Sequence, residues 1–77
     1  MKEITQRLRE ERVRLKLTQA ELATYGGVRV NAQTTYEGGG RVPNAIYLAG
    51  VAKAGVDVLY VVTGRRNPAQ TADRRSH

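Results

Sequence analysis

Seventy-seven residues give room for one domain and one small core, and the chain has no cysteine and a single histidine, His77, at its last position. No disulfide or thiolate metal site is open to it, so any stability beyond that core is expected from oligomerisation. Thirteen Lys and Arg against seven Asp and Glu leave a net charge of +6, which attracts a polyanion such as DNA, RNA or an acidic membrane surface.

The pattern predicts five short helices followed by a tail. In the first, Ile4, Leu8 and Leu15 form one stripe at helical period, and Glu3, Arg7, Arg9, Glu10, Glu11, Arg12 and Arg14 cover the other faces. Glu3–Arg7 and Glu10–Arg14 are spaced as i,i+4 pairs with the acid first, the favourable order. Arg12 is expected to serve an internal salt bridge. The second helix opens on Thr18-Gln19-Ala20-Glu21, a capping box with Leu17 as staple residue, and closes at Gly26-Gly27. The third, about Val30 to Glu37, is polar and of low intrinsic propensity, so its surface is the reason to keep it.

A Gly38–Arg41 loop leads to the fourth helix, capped by Asn44, with Ile46, Leu48, Val51 and Ala52 as its apolar face and Gly55 as its end. Val58 to Val62 has strand propensity, but Asp57 and Gly64 frame it as a helix and no second strand candidate exists. Residues 65–77 lack apolar periodicity and are expected to form a disordered basic tail after a domain at 1–64. Arg65, Arg66, Arg74 and Arg75 against Asp73 put half of the positive surplus there.

The function classes narrow accordingly. Met1–Lys16 is rich in Arg and Glu, unlike a signal peptide, and no apolar run reaches the length of a membrane span, so a soluble, cytoplasmic chain with no membrane role is expected. Ser76 and His77, the only residues of their types, adjoin each other in the tail, and Cys is absent, which leaves no ordinary Ser-His or Cys-His pair. The glycine runs lack the Lys-Ser/Thr of a phosphate loop. No carboxylate pair is expected in an apolar setting. The sequence therefore predicts no enzyme, no cofactor, no metal and no small-molecule substrate.

The block Leu17-Thr18-Gln19-Ala20-Glu21-Leu22-Ala23, Gly27-Val28, then Tyr36-Glu37 with Gly39, Arg41 and Pro43 resembles the Cro/phage-repressor type of helix-turn-helix, the XRE family. The likeness runs on through Leu48, Val51-Ala52, Gly55-Val56-Asp57, Tyr60-Val61 and Thr63-Gly64, covering about residues 4–64. It implies an all-α, compact five-helix, lambda-repressor-like domain. Ala20 and Ala23 suit a close crossing of helices 2 and 3. Two residues depart from the pattern. Arg29 stands where Ser or Thr commonly caps helix 3, and Gln33 stands where Ile or Val packs inward.

What the resemblance implies is a transcriptional repressor of phage, prophage or bacterial setting that binds double-stranded DNA. Helix 3 would enter the major groove with Val30, Asn31, Thr34 and Thr35 reading bases. Asn31 can bond adenine N6 and N7 together, and the two threonines can donate or accept. Gln19, Arg29, Arg41 and the backbone of Gly39 and Gly40 would bind phosphates. One helix reads only about half a turn of DNA, so a homodimer on an inverted repeat is implied. Val58, Leu59 and Val62, more apolar surface than so short a helix can bury, are its candidate interface. The alternative is an antitoxin-like module that neutralises a partner protein and regulates its own promoter.

Overall fold

A computed structural model describes residues 3–66 together with Pro68. The expected disorder of the tail concerns residues that lie largely outside these. Five helices follow in order: α1 (Ile4–Arg14), α2 (Gln19–Gly26), α3 (Val30–Gly38), α4 (Ala45–Ala52) and α5 (Val58–Thr63). No strand occurs among the described residues, so the apolar run at 58–62 is helical. None of these helices is long and apolar enough to cross a membrane.

Local signals set the boundaries. The Thr18 hydroxyl accepts from the Glu21 amide at 3.0 Å while Glu21 accepts from the Thr18 amide at 2.8 Å, closing the capping box of α2. Asn44 caps α4 by accepting from the Tyr47 amide, and Asp57 caps α5 by accepting from the Tyr60 amide. Gly27, with φ at 75°, stops α2 in the left-handed region that a Cβ disfavours.

Leu8, Leu22, Tyr36, Tyr47, Val51, Val56 and Val61 form the buried core, with the Tyr36 and Tyr47 rings edge-to-face at 4.8 Å. Ile4, Leu15 and Leu17 pack against it partly buried. The apolar face of α4 matches the expected one in part. Val51 is buried and Leu48 packs against the core, but Ile46 is 82% exposed and Ala52 is exposed, and Tyr47, one turn before Val51, points inward. Of the two alanines expected at the α2–α3 crossing, Ala23 is buried and Ala20 is exposed. α2 also meets α4 tightly, where Gly50 faces the backbone of Tyr25 and Gly26 lies under the Tyr47 ring.

Glu11 is a second correction. It was placed on the solvent side of α1, yet it is fully buried, because position 11 falls seven residues after Ile4 and so on the same stripe. Its carboxylate accepts from Arg14 at 3.0 and 2.7 Å, from Arg66 at 2.7 Å and from the Asp57 amide at 2.9 Å. Arg14 thus pairs with Glu11 at i,i+3 in place of the expected Glu10. Asp57 is also buried, and its Oδ2 lies 3.8 Å from Arg66. Two carboxylates do meet inside the fold, with cations between them. Burial would raise the Glu11 carboxyl; the bonds from Arg14, the Asp57 amide and Arg66 outweigh it and hold the group below the usual range.

Candidate nucleic-acid interface

The α2–turn–α3 unit is built from its inward residues outward. Leu22 and Ala23 of α2 and Tyr36 of α3 are buried against each other's helices and the core. Between the helices, the Val28 amide donates to the Ala23 carbonyl at 3.0 Å and Arg29 begins α3 without a side-chain cap. Weak propensity in α3 is offset by what its inner face touches.

That inner face is polar. Gln33 is fully buried; its Nε2 donates to Glu37 at 2.6 Å and its Oε1 accepts from the Tyr47 hydroxyl at 2.5 Å. Arg12 of α1 grips the same Glu37 carboxylate with Nε at 2.8 Å and Nη2 at 3.1 Å, a bidentate pair. Its Nη1 also donates to the Leu17 carbonyl at 2.9 Å, tying the α1–α2 turn to the pair. Arg12 is therefore the internal ion-pair partner it was expected to be. Burial would raise the Glu37 carboxyl, but Arg12 with the Gln33 and Gln19 amides holds it below the ordinary carboxylate range. Burial pushes the Tyr47 hydroxyl up, so it stays a proton donor. No buried polar side-chain atom among the described residues lacks a partner.

Gln33 thus fills its inward slot as an amide wired at both ends. Gln33, Glu37 and Tyr47 were not expected among the site's residues. Gln33 was flagged only as out of pattern, and the sequence gives no sign that Tyr47, fourteen positions on, supplies its partner.

On the outer face, Val30 (48% exposed), Asn31 and Thr34 lie open to solvent, while Thr35 is half-buried with its hydroxyl donating to the Asn31 carbonyl at 2.9 Å. The Asn31 Oδ1 accepts from the Ala32 amide at 3.1 Å. Gln19 at the start of α2 joins this surface. Its Oε1 lies 3.0 Å from the Thr34 hydroxyl, and its Nε2 donates to Glu37 at 3.3 Å. Arg29 and Arg41, before and after α3, are exposed.

The glycine loop needs correcting. The amides of Gly39 and Gly40 both donate to the Thr35 carbonyl, that of Gly40 at 3.0 Å, so they close the helix end and are not free for an anion. Val42, next to Arg41, is strongly exposed, and so is Ile46, which was expected on the apolar face of α4. On α5, Val58 is half-buried against the core, while Leu59 (41%) and Val62 (43%) are exposed.

Neither a protein-family model nor a curated protein matches the chain. Among solved structures it is similar to the crystal structure of the P22 c2 repressor protein in complex with synthetic operator 9T in the presence of Tl+. The TM-score is 0.75 and the sequence identity 29%, over 84% of this chain and 100% of that one. The fold is that of a repressor helix-turn-helix domain, all-helical and compact.

Proposed function

We propose that this chain is a sequence-specific repressor of transcription that binds double-stranded DNA as a homodimer, with α3 in the major groove of an inverted-repeat operator. The observation that carries the reading is the outer face of α3. A helix of poor intrinsic propensity is fixed by a fully satisfied buried network, and what it presents to solvent is Val30, Asn31 and Thr34. Rigidity behind a polar, exposed, uncovered row suits base reading. Likeness to an operator-bound repressor at 29% identity supports the same use.

In this reading Asn31 presents its carboxamide to adenine, Val30 packs on a thymine methyl, and Thr34 with Thr35 contacts neighbouring base edges. Arg29, Arg41 and the free second proton of Gln19 Nε2 hold phosphates and set the register. Leu59 and Val62, with the edge of Val58, form the two-fold contact. A phage or bacterial cytoplasm is the setting that fits.

Selection of bound sequences from a random DNA pool, at low and at moderate salt, tests this. The expected result is a short inverted repeat that survives the higher salt, with half-sites about 34 Å apart. Unspecific, salt-sensitive binding alone would overturn it and trace the DNA affinity to the +6 charge.

A further inference from the structure

Hydrogen bonding on the outer face of α3 has a fixed direction, and the Glu37 carboxylate sets it. An ionised carboxylate only accepts, through about four lone-pair sites. Four donors meet it here: Arg12 Nε and Nη2, Gln33 Nε2 and Gln19 Nε2. Neither glutamine can turn its amide round, because that would set a carbonyl oxygen against a carboxylate oxygen.

With its Nε2 on Glu37, Gln19 directs Oε1 at Thr34, whose Oγ1 is 3.0 Å away. The same Oγ1 is 3.0 Å from the Val30 carbonyl. Both neighbours are acceptors, and a hydroxyl has one proton. Whichever neighbour it serves, that proton is committed inward. Toward solvent Thr34 has lone pairs only.

We propose that Thr34 is a one-way acceptor in the groove, selecting a base that presents an amino group, adenine N6 or cytosine N4, and that Glu37 is the positioning residue that fixes this polarity through Gln19. The proposal rests on the DNA-binding reading above and deepens it. Guanine and thymine offer acceptors at O6, N7 and O4, so against them the same oxygen meets lone pair with lone pair. The residue type alone leaves Thr34 free to donate or accept. Its surroundings remove the first option.

Pool selection with the parent chain, Thr34→Ser and Thr34→Val tests the idea, since an exposed position tolerates all three side chains. The parent and the serine variant should restrict one position per half-site to adenine or cytosine. The valine variant should lose that preference, about five-fold in relative affinity, with other positions unchanged. An unchanged preference in Thr34→Val overturns the proposal while leaving the DNA reading intact. So does guanine or thymine at the position that valine relaxes. A parent chain that selects no sequence overturns both. Proton NMR of the DNA-free protein reads the positioning directly. Gln19 side-chain amide protons close to the Arg12 guanidinium are expected, and amide protons facing Thr34 instead would sink the role of Glu37.

Discussion

Tyr47 and Gln33 are each other's condition for being buried. The tyrosine hydroxyl donates to Gln33 Oε1 at 2.5 Å, and the glutamine amino group continues to Glu37 at 2.6 Å. Tyr47→Phe keeps the ring packed on Tyr36 and Gly26 but leaves a buried carbonyl oxygen unpaired, at a cost of about 1–3 kcal/mol. Gln33→Leu alone strands the hydroxyl in the same way. Made together, the two changes remove both partners, so the double variant should lose clearly less stability than the two single losses added. Denaturant titration of all four proteins measures the coupling, and strict additivity would show that the two groups do not depend on each other. The pair also marks a limit of reading residues in sequence. The capping box at Thr18–Glu21 was legible because its partners lie three positions apart. Gln33 could be recognised as out of place in its slot, but its partner depends on how α4 crosses α3, which no local pattern carries. Glu11 failed for the opposite reason. Its position on the buried stripe was countable, and its charge argued it outward; the cations that hold it inside come from as far as Arg66.

At the level of elements, the crossing of α2 and α4 decides where the core sits under the recognition surface. A Cβ on Gly50 would lie 2.3 Å from the Tyr25 carbonyl oxygen and 3.0 Å from the Gly26 Cα. Those are backbone atoms, so no rotamer change relieves the clash, and the helices must part. Gly50→Ala should therefore cost about 2–3 kcal/mol, or roughly 10 °C or more in Tm for a domain of this size. Gly38 is the control. It is the last residue of α3, its φ is not positive, and a Cβ there meets nothing within 4 Å. Gly38→Ala should gain about 0.5–1 kcal/mol by restricting the unfolded chain. Thermal melts of the two variants check the contrast, and equal effects would mean that the crossing yields without strain. The element order and the caps at Asn44 and Asp57 were legible, since helix termini are written locally. The apolar face of α4 was legible at Leu48 and Val51 and misread at Ile46 and Ala52. Ile46 is the more hydrophobic residue, but the inward position goes to Tyr47, whose ring lies over Gly26 and whose hydroxyl completes the polar network.

Across the whole molecule, α1 is the strut to which both ends of the site are tied, and it is tied by buried carboxylates. Glu11 fastens it to α5 and to Arg66, while Arg12 reaches Glu37 and so fastens it to α3. Both carboxyls are held below their ordinary value of 4.5 in the fold. As the pH falls through the ordinary range the unfolded chain takes up protons first, so stability rises with pH there. It is fully present above that range and is lost as the pH drops through the lowered folded values. Protonation also adds positive charge to a chain already at +6, which increases self-repulsion in the compact state. Denaturation midpoints should therefore be level from about pH 7 to about pH 5.5 and fall steadily below about pH 4.5. Glu11→Gln and Glu37→Gln should each flatten part of that fall while lowering stability near neutrality, because the first removes the buried anion on which Arg14, Arg66 and the Asp57 amide converge and the second leaves the half-buried Arg12 without its anion. The two carboxylates are held by different groups: Arg14, Arg66 and the Asp57 amide serve one, Arg12, Gln33 and Gln19 the other. Their contributions to the acid slope should consequently add in the double variant. A slope as steep in the double variant as in the parent would place the acid sensitivity in other groups and remove the two carboxylates as the ties that hold α3 and α5 to α1.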